Sequence, residues 1–491
     1  MTEATGALAT LRLRFGQALF GRVDIAWLAA FRVLYGLALC ISMLRFIGYG
    51  WVERLFVQPR FFFKYWGFEW VEPLPAPQMH ALFWCLAALA LAVSFGFLFR
   101  LAAPAFALGI TYIQLIDVST YLNHYYLAAL LSWLLAVSPA NRAYSVDAWL
   151  AARLGRRSAD AAPTVSGAWL WLFRFQVGVV YTFAGLAKAQ SDWLLHGQPL
   201  RIWLGTRTDL PLVGPLLTMD GVPLLMSWCG FLFDVTIVGW LSWRRSRPWA
   251  YLVVIAFHVM TRILFPIGMF PVIMVLSAVA FFSPSWPRHV GAVLARLLAR
   301  VSGRFSELER RAADALARAS APRLGWLRPS FVRRLGLAFG VTYCLVHLAL
   351  PFRYLGYGGN VLWHEQGMRF SWRVMLRAKG GSTTFVVRNK LTGKVWHVSP
   401  RSYLTGMQES EMSSQPDLIL QLAHHVQRDM EARGLGPVEV RAESRVALNG
   451  RRSSLMIDPN VDLTRVSDGL RRADWILPAP AGPPPRTRPV L

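Results

Sequence analysis

Ala168-Trp-Leu-Trp-Leu-Phe-Arg-Phe-Gln-Val-Gly-Val-Val-Tyr-Thr-Phe-Ala-Gly-Leu-Ala187, followed at once by Lys188, decides the fold. Its single charged residue is Arg174, and it contains no proline. As a helix rising about 1.5 Å per residue, it matches the roughly 30 Å hydrocarbon thickness of a bilayer. Working outward, similar apolar runs recur at 25–45, 80–99, 101–116, 121–138, 222–242, 249–265, 267–282 and 335–351. The third and eighth of the nine runs are short, and read as tilted or partly re-entrant segments. The predicted fold class is an α-helical polytopic membrane protein with about nine transmembrane helices and a small C-terminal extracytoplasmic α+β domain. The predicted plan is a transmembrane domain over 20–351, an extracytoplasmic domain over 352–475 and a Pro-rich disordered tail over 476–491.

Composition agrees with that reading. Hydrophobic residues make up 55% and charged residues 16%, where soluble domains carry about 25% charged residues. Many of the 21 Trp, 14 Tyr and 30 Phe lie at the ends of the apolar runs, as interfacial belts require. The net charge of +25 does not imply nucleic acid, because the basic residues cluster in loops between apolar runs. There they set topology and meet anionic lipid. Cys40, Cys85, Cys229 and Cys344 each fall inside an apolar run without metal-ligand spacing, and read as buried free thiols. The first apolar run is too long for a signal-peptide core and reads as a retained helix.

Lysine and arginine set the orientation. The 139–167 loop holds Arg142, Arg153, Arg156 and Arg157, and the 243–248 loop holds Arg244, Arg245 and Arg247. The 283–334 loop holds eleven arginines against three acids. With nine spans all three loops share one side, predicted to be cytoplasmic. The N-terminus is then inside, and everything after about 351 is outside. The Arg-rich stretch 288–319 reads either as an amphipathic helix on the cytoplasmic membrane surface or as a solvated helix of a topogenic loop.

The tail changes character. Thr383–Arg388 and Lys394–Val398 flank Asn389-Lys-Leu-Thr-Gly393, a hairpin with Gly in the turn. Asp417–Arg433 has helical periodicity, with Gly434 as its stop. Val438–Leu448 and Ser453–Ile457 form a second strand pair around Asn449-Gly450.

Polar groups inside spans are costly and invite a functional reading. Arg32, Arg174 and Asp234 read as structural glue, the acid pairing with one or both arginines. A second group consists of Asn123 and His124 opening the fourth run, Lys188 ending the fifth and His258 past the midpoint of the seventh. The topology places all four in the outer half of the membrane, beneath the external domain. Three of them have a bland alternative: a terminal lysine snorkels, His258 alone suits a satisfied core histidine, and His124 alone suits the interface. Arg262, one turn beyond His258, reads either as a further member of this group or, near a helix end, as snorkelling, the reading preferred.

Two of these segments resemble a known family. Asp117-Val-Ser-Thr-Tyr-Leu-Asn-His-Tyr-Tyr-Leu127 resembles the Asn-His segment of vitamin K-dependent γ-glutamyl carboxylases and the wider HTTM group. Val180-Tyr-Thr-Phe-Ala-Gly-Leu-Ala-Lys-Ala-Gln-Ser-Asp-Trp193 is similar to the segment with that family's catalytic lysine. Ser145-Val-Asp147, Phe257-His258, Ile267-Gly-Met-Phe270, Ser283-Pro-Ser-Trp-Pro287, Leu350-Pro-Phe352, Phe370-Ser-Trp372 and Asp458-Pro-Asn-Val-Asp462 follow in the family's order. The resemblance spans roughly residues 20–470.

The resemblance implies that reduced vitamin K, a naphthohydroquinone, reacts with dioxygen to give a strong base and finally an epoxide. That base removes a γ-proton from glutamate, and the carbanion adds carbon dioxide. Lys188 matches the family's catalytic base, which must be an uncharged amine; apolar burial disfavours an ammonium. His124 matches the histidine that assists oxygenation, and Asn123 its neighbouring amide; such donors stabilise developing negative charge. His258, Phe370, Ser371 and Trp372 match positions near the reaction chamber and are expected to bind substrate. No metal is expected. The implied partners are the lipid bilayer, a lipid quinol and a glutamate-containing peptide or protein.

The animal members carry a larger luminal part with a further β-rich domain, whereas this sequence ends soon after the small domain. Met368 and Phe370 stand where the animal motif has tyrosines. The resemblance therefore bears more on quinone chemistry than on peptide recognition. Quinol epoxidation without carboxylation is the alternative expectation, and a non-catalytic membrane scaffold or transporter on the same fold is a third.

Overall fold

A computed structural model describes residues 16–17, 19–154, 164–211, 213–301 and 329–485. The described chain is mostly helical, with a small sheet near its C-terminus. Its principal helices are α1 (Ala26–Gly48), α2 (Ala76–Phe95), α3 (Phe99–Leu115), α4 (Asn123–Val137), α5 (Gly167–Lys188), α6 (Val222–Ser242), α7 (Arg247–Leu264), α8 (Phe270–Ala278), α9 (Trp286–Val301) and α10 (Pro329–Ala349). A two-stranded ribbon, β1 (Arg22–Asp24) with β2 (Thr164–Ser166), ties the start of α1 to the start of α5.

Among the described residues, five helices are long and apolar enough to cross a membrane: α1, α2, α5, α6 and the segment Arg334–Gly356. A sixth path, Phe270–Phe281 with Trp286–Leu294, is bent by 103°. The break falls in Phe282-Ser-Pro-Ser-Trp286, where Pro284 removes a backbone donor. The expected eighth run is thus a short helix followed by a sharp turn. The expected third run, α3, has 17 residues and an internal Pro104. The expected second run, 80–99, instead ends at Phe95. Gly96 adopts φ +63 as a left-handed cap, and Gly96 and Phe97 donate back to Val93 and Ala92.

The arginine–aspartate glue expected of Arg32, Arg174 and Asp234 does not form. The buried Arg32 guanidinium donates to the carbonyls of Ser94, Ala140, Ala143 and Tyr144. Arg174 donates to the carbonyls of Ala280, Phe281 and Phe282. Helix C-termini and loops supply free carbonyls, so these cations bind backbone and leave Asp234 for another partner. The four cysteines are free. Cys85 and Cys229 lie on outward faces rather than buried, because apolar side chains on a spanning helix can face lipid. α9 follows the break as an Arg-bearing helix, anchored by Arg288 to Asp24 (Nε to Oδ2, 2.6 Å). Residues 302–319 of the predicted amphipathic stretch lie outside the described residues.

The C-terminal unit is a four-stranded antiparallel sheet in the order β4-β3-β5-β6, with β3 Lys379–Asn389, β4 Val395–Val398, β5 Val438–Leu448 and β6 Ser454–Leu455. Both predicted hairpins are present. Phe385 pairs with Val398 across the first, and Arg445 with Leu455 across the second. Asn449 (φ +52) and Gly450 (φ +83) make the second turn. Between the hairpins lie two helices, α11 (Gly406–Met412) and α12 (Pro416–Ala432). Gly434 (φ +76) lies just past the end of α12. Alternate residues of β5 are buried and meet the apolar face of α12, including Leu418, Leu422 and Val426.

The same hydrophobic core continues into the helical part through Phe63, Val118, Ala187, Trp193 and Leu200. Polar contacts reinforce the junction. Gln408 donates to Phe61 O (2.7 Å) and Asp117 Oδ2 (2.8 Å), and Gln421 bonds both backbone groups of Lys64.

Candidate functional site

Lys188 is the last residue of α5, and its side chain is buried. Its Nζ lies 2.6 Å from Asp234 Oδ2 and 3.3 Å from the Ala184 carbonyl, and over the Trp193 ring at 5.3 Å. Gly185 makes this possible. A Cβ there would lie 2.6 Å from Val235 Cγ1 and 3.1 Å from Val235 N, so glycine lets α5 and α6 approach this closely without crowding. The sequence pattern pairs Asp234 with Arg32 or Arg174; the close crossing brings it against Lys188 instead.

The pair lines an apolar cavity of about 80 Å³. Asp234 is the single carboxylate among the described residues that line it. His258 lines it too, its Nε2 hydrogen-bonded to the Tyr181 hydroxyl at 2.9 Å. His258 Nδ1 is buried without a partner among the described residues. Tyr181 was not singled out from the sequence. It lies seven residues before Lys188, two helical turns along the same face, and that spacing was the available signal.

His124 belongs to a second, larger cavity of about 750 Å³, lined by Phe46, Trp51, Phe56 and Tyr125 and by Arg377 and Glu411 of the C-terminal unit. Its ring has no hydrogen-bond partner among the described residues. Gly268 (φ +59) crosses close beside it, and a Cβ there would lie 3.3 Å from Nε2. The segment from Ile267 to Met274 separates the two cavities, and the Phe270 ring lies between His124 (6.3 Å) and His258 (6.0 Å). Asn123 faces a third, polar cavity of about 850 Å³ between the helical part and the sheet, with Arg207, Arg369, Arg373 and Glu411. Ile267, Phe265 and Met375 are shared with the Lys188 cavity, and Tyr121 and Leu122 with the His124 cavity. The predicted cluster is therefore distributed over three adjoining cavities. Arg262 donates to the Gly268 carbonyl at the surface (3.1 Å) and lines none of the three.

Phe370, Ser371 and Trp372 line none of these cavities. They form the seat between the two parts. Phe370 N–H donates to the Tyr121 hydroxyl (2.8 Å), which donates to Asn123 Oδ1 (3.0 Å). Trp372 is fully buried and stacked on Tyr126 at 5.0 Å. Phe370, Trp372 and Met375 all have positive φ. Three non-glycine residues in that region within six positions mark a strained segment held by its surroundings. The segment then delivers Arg373 to the polar cavity and Met375 to the Lys188 cavity. Among the described residues no cluster of three or more His, Cys, Asp or Glu is placed to hold a metal.

Spanning helices, a buried lysine–aspartate pair and a docked α+β unit define a helical membrane protein whose buried polar side chains sit beneath an attached domain. The family model for the HTTM domain matches residues 20–286, more than half of the chain, and that for the vitamin K-dependent gamma-carboxylase lumenal domain matches residues 332–482. The chain belongs to the vitamin K-dependent γ-carboxylase family. No solved structure matches it.

Proposed function

We propose that the protein couples oxygenation of a reduced naphthoquinone of the vitamin K type to γ-carboxylation of glutamate. The observation that carries this reading is the Lys188–Asp234 pair, buried in an apolar cavity beside the Tyr181–His258 pair. The chemistry of the residues suits such a quinol: apolar walls and a buried, unpartnered His258 Nδ1 beside Lys188 for a polar edge, with the volume for the ring in the adjoining cavity of about 750 Å³ at His124. When bound, the reduced quinone supplies the electrons for dioxygen reduction and the strong base that attacks glutamate. Lys188 Nζ takes the hydroxyl proton. His124 and Asn123 line the adjoining cavities and stabilise negative charge on substrate groups that extend into them, and His258 orients the substrate through its bond to Tyr181. Exclusion of water by the apolar walls protects the base from quenching. Phe370, Ser371 and Trp372 contribute to substrate binding by holding the external domain over the cavities. The polar cavity with Arg207 and Arg373 suits the glutamyl side chain of a peptide or protein, and the bilayer supplies the lipid quinol. The C-terminal domain is extracytoplasmic and the N-terminus cytoplasmic.

The test is incorporation of labelled carbon dioxide into a glutamate-containing peptide by purified protein with reduced vitamin K, with epoxide assayed in the same tube. Label and epoxide are both expected, and both are lost in Lys188→Ala. Unchanged turnover in that variant sinks the role of Lys188. Epoxide without label assigns the chain to quinol oxygenation alone, and neither product from folded protein points to a scaffold or transporter.

A further inference from the structure

We infer that Asp234 is the positioning residue of the centre: it fixes Lys188 Nζ at the cavity wall and stores the proton that Lys188 must shed before it can act as a base. The inference rests on the base role proposed for Lys188. Three observations carry it. The carboxylate lies 2.6 Å from Nζ, close enough for direct transfer. It is the single carboxylate among the described residues lining the cavity. Gly185 lets the two helices pack closely where the groups meet: a Cβ there would crowd Val235 Cγ1 at 2.6 Å and Asp234 Cβ at 3.2 Å.

Burial gives the geometry its chemical meaning. A carboxylate and an ammonium in apolar surroundings stabilise each other, but either one left alone is heavily penalised. The pair as a whole carries zero charge whether its shared proton sits on nitrogen or oxygen. With that proton on Asp234 Oδ2, Lys188 presents a neutral amine with a free lone pair, and no proton has had to leave for water. The amine then accepts a substrate hydroxyl proton: an N–H bond forms, the O–H bond breaks, and its electron pair stays on the substrate oxygen. The pair ends at +1, opposite a charge of −1, so the cavity remains neutral throughout. A lone lysine buried here lacks both the orienting bond and the internal proton acceptor.

The test compares Asp234→Asn, which keeps a hydrogen-bond acceptor but cannot take a proton, with Asp234→Glu, which restores the acid. Epoxide formation in Asp234→Asn is expected to fall in kcat by about 100-fold or more, the scale of general acid–base contributions, with KM changed less than about threefold. Asp234→Glu should recover at least about a tenth of wild-type kcat. A readout independent of turnover is thermal unfolding of the quinone-free protein in detergent. There the joint replacement Lys188→Met with Asp234→Leu should unfold at a higher temperature than Asp234→Asn alone. Near-wild-type kcat in Asp234→Asn, with Lys188→Ala inactive, overturns the role of Asp234 and leaves the base intact. Activity persisting in Lys188→Ala instead overturns the base reading itself.

Discussion

At the residue scale, the buried charges of this protein are held by unlike partners: Lys188 by the Asp234 carboxylate, Arg32 and Arg174 by backbone carbonyls. Lys188 and Asp234 were visible as charges in apolar runs, but nothing local says that Gly185 lets their helices touch. Arg32 and Arg174 looked like partners for Asp234 because a carboxylate is the obvious mate for an arginine. Free backbone carbonyls serve as well, and these leave no mark in the residue pattern. Lys379 illustrates a further consequence of burial. It opens β3 with its side chain enclosed, and donates to the Trp363 carbonyl (2.5 Å) and Glu365 Oε1 (2.9 Å). Burial pushes its ammonium down to about 8, against the opposing pull of Glu365. Unfolded lysine titrates near 10.4, so between these values the unfolded chain binds more protons than the folded one. Stability therefore rises with pH across that window, by at most about 1.4 kcal/mol per unit, and that contribution is lost as pH falls through about 8. The resistance of the C-terminal domain to proteolysis in urea is expected to increase from pH 8 to 10 in the wild type, relative to Lys379→Met. Parallel profiles in the two proteins contradict this assignment.

At the element scale, segments with a strict local period were legible and the junctions between them were not. The alternation in Val438–Leu448 and the Asn449-Gly450 turn predict a hairpin, and the strands pair there. The same turn also carries the contact that fastens the domain. Arg451 grips Asp192 with two bonds, Nη2 to Oδ1 at 2.6 Å and Nη1 to Oδ2 at 2.7 Å, and Asn449 Nδ2 adds a third at 2.9 Å. Asp192 lies four residues past Lys188, next to Trp193, whose ring covers the amine. A sequence pattern identifies a turn by its backbone needs, but not the surface it will meet. Removing one member of a largely buried pair costs about 3–5 kcal/mol, because the other is left uncompensated. Arg451→Met is therefore expected to speed proteolysis of the C-terminal domain in intact detergent-solubilised protein, and to reduce turnover. Asp192→Asn strands the Arg451 guanidinium in turn but keeps an acceptor oxygen for it, and should act in the same direction. Equal proteolysis rates for wild type and Arg451→Met argue against a fastening role.

At the scale of the whole molecule, the apolar lengths made a membrane protein evident, while the number and direction of crossings depend on how short or broken helices are placed. α3 is 17 residues long, and the path through α8 turns by 103° into α9; a count of apolar runs treats such segments as equal to full spans. Orientation rests on a different physical signal, the gathering of arginine in 139–167, 243–248 and 283–334. It has a direct chemical consequence. Lys188 ends α5 beneath the docked sheet, and a hydrophobic core shared by both parts holds that sheet in place, so for the proposed reaction the side of the membrane that carries the sheet is the side from which a glutamyl substrate would reach the polar cavity. Single cysteines in a background with the four native thiols replaced can read that side. Thr392→Cys lies in the exposed β3–β4 turn, and Arg245→Cys in the exposed link between α6 and α7. In intact cells a membrane-impermeant maleimide should label Thr392→Cys and spare Arg245→Cys until the membrane is opened. The opposite pattern places the sheet, the polar cavity and any peptide substrate on the cytoplasmic side. The arginine-rich loops would then face outward against the usual charge bias, and the centre around Lys188 would draw its glutamate from cytoplasmic rather than exported protein.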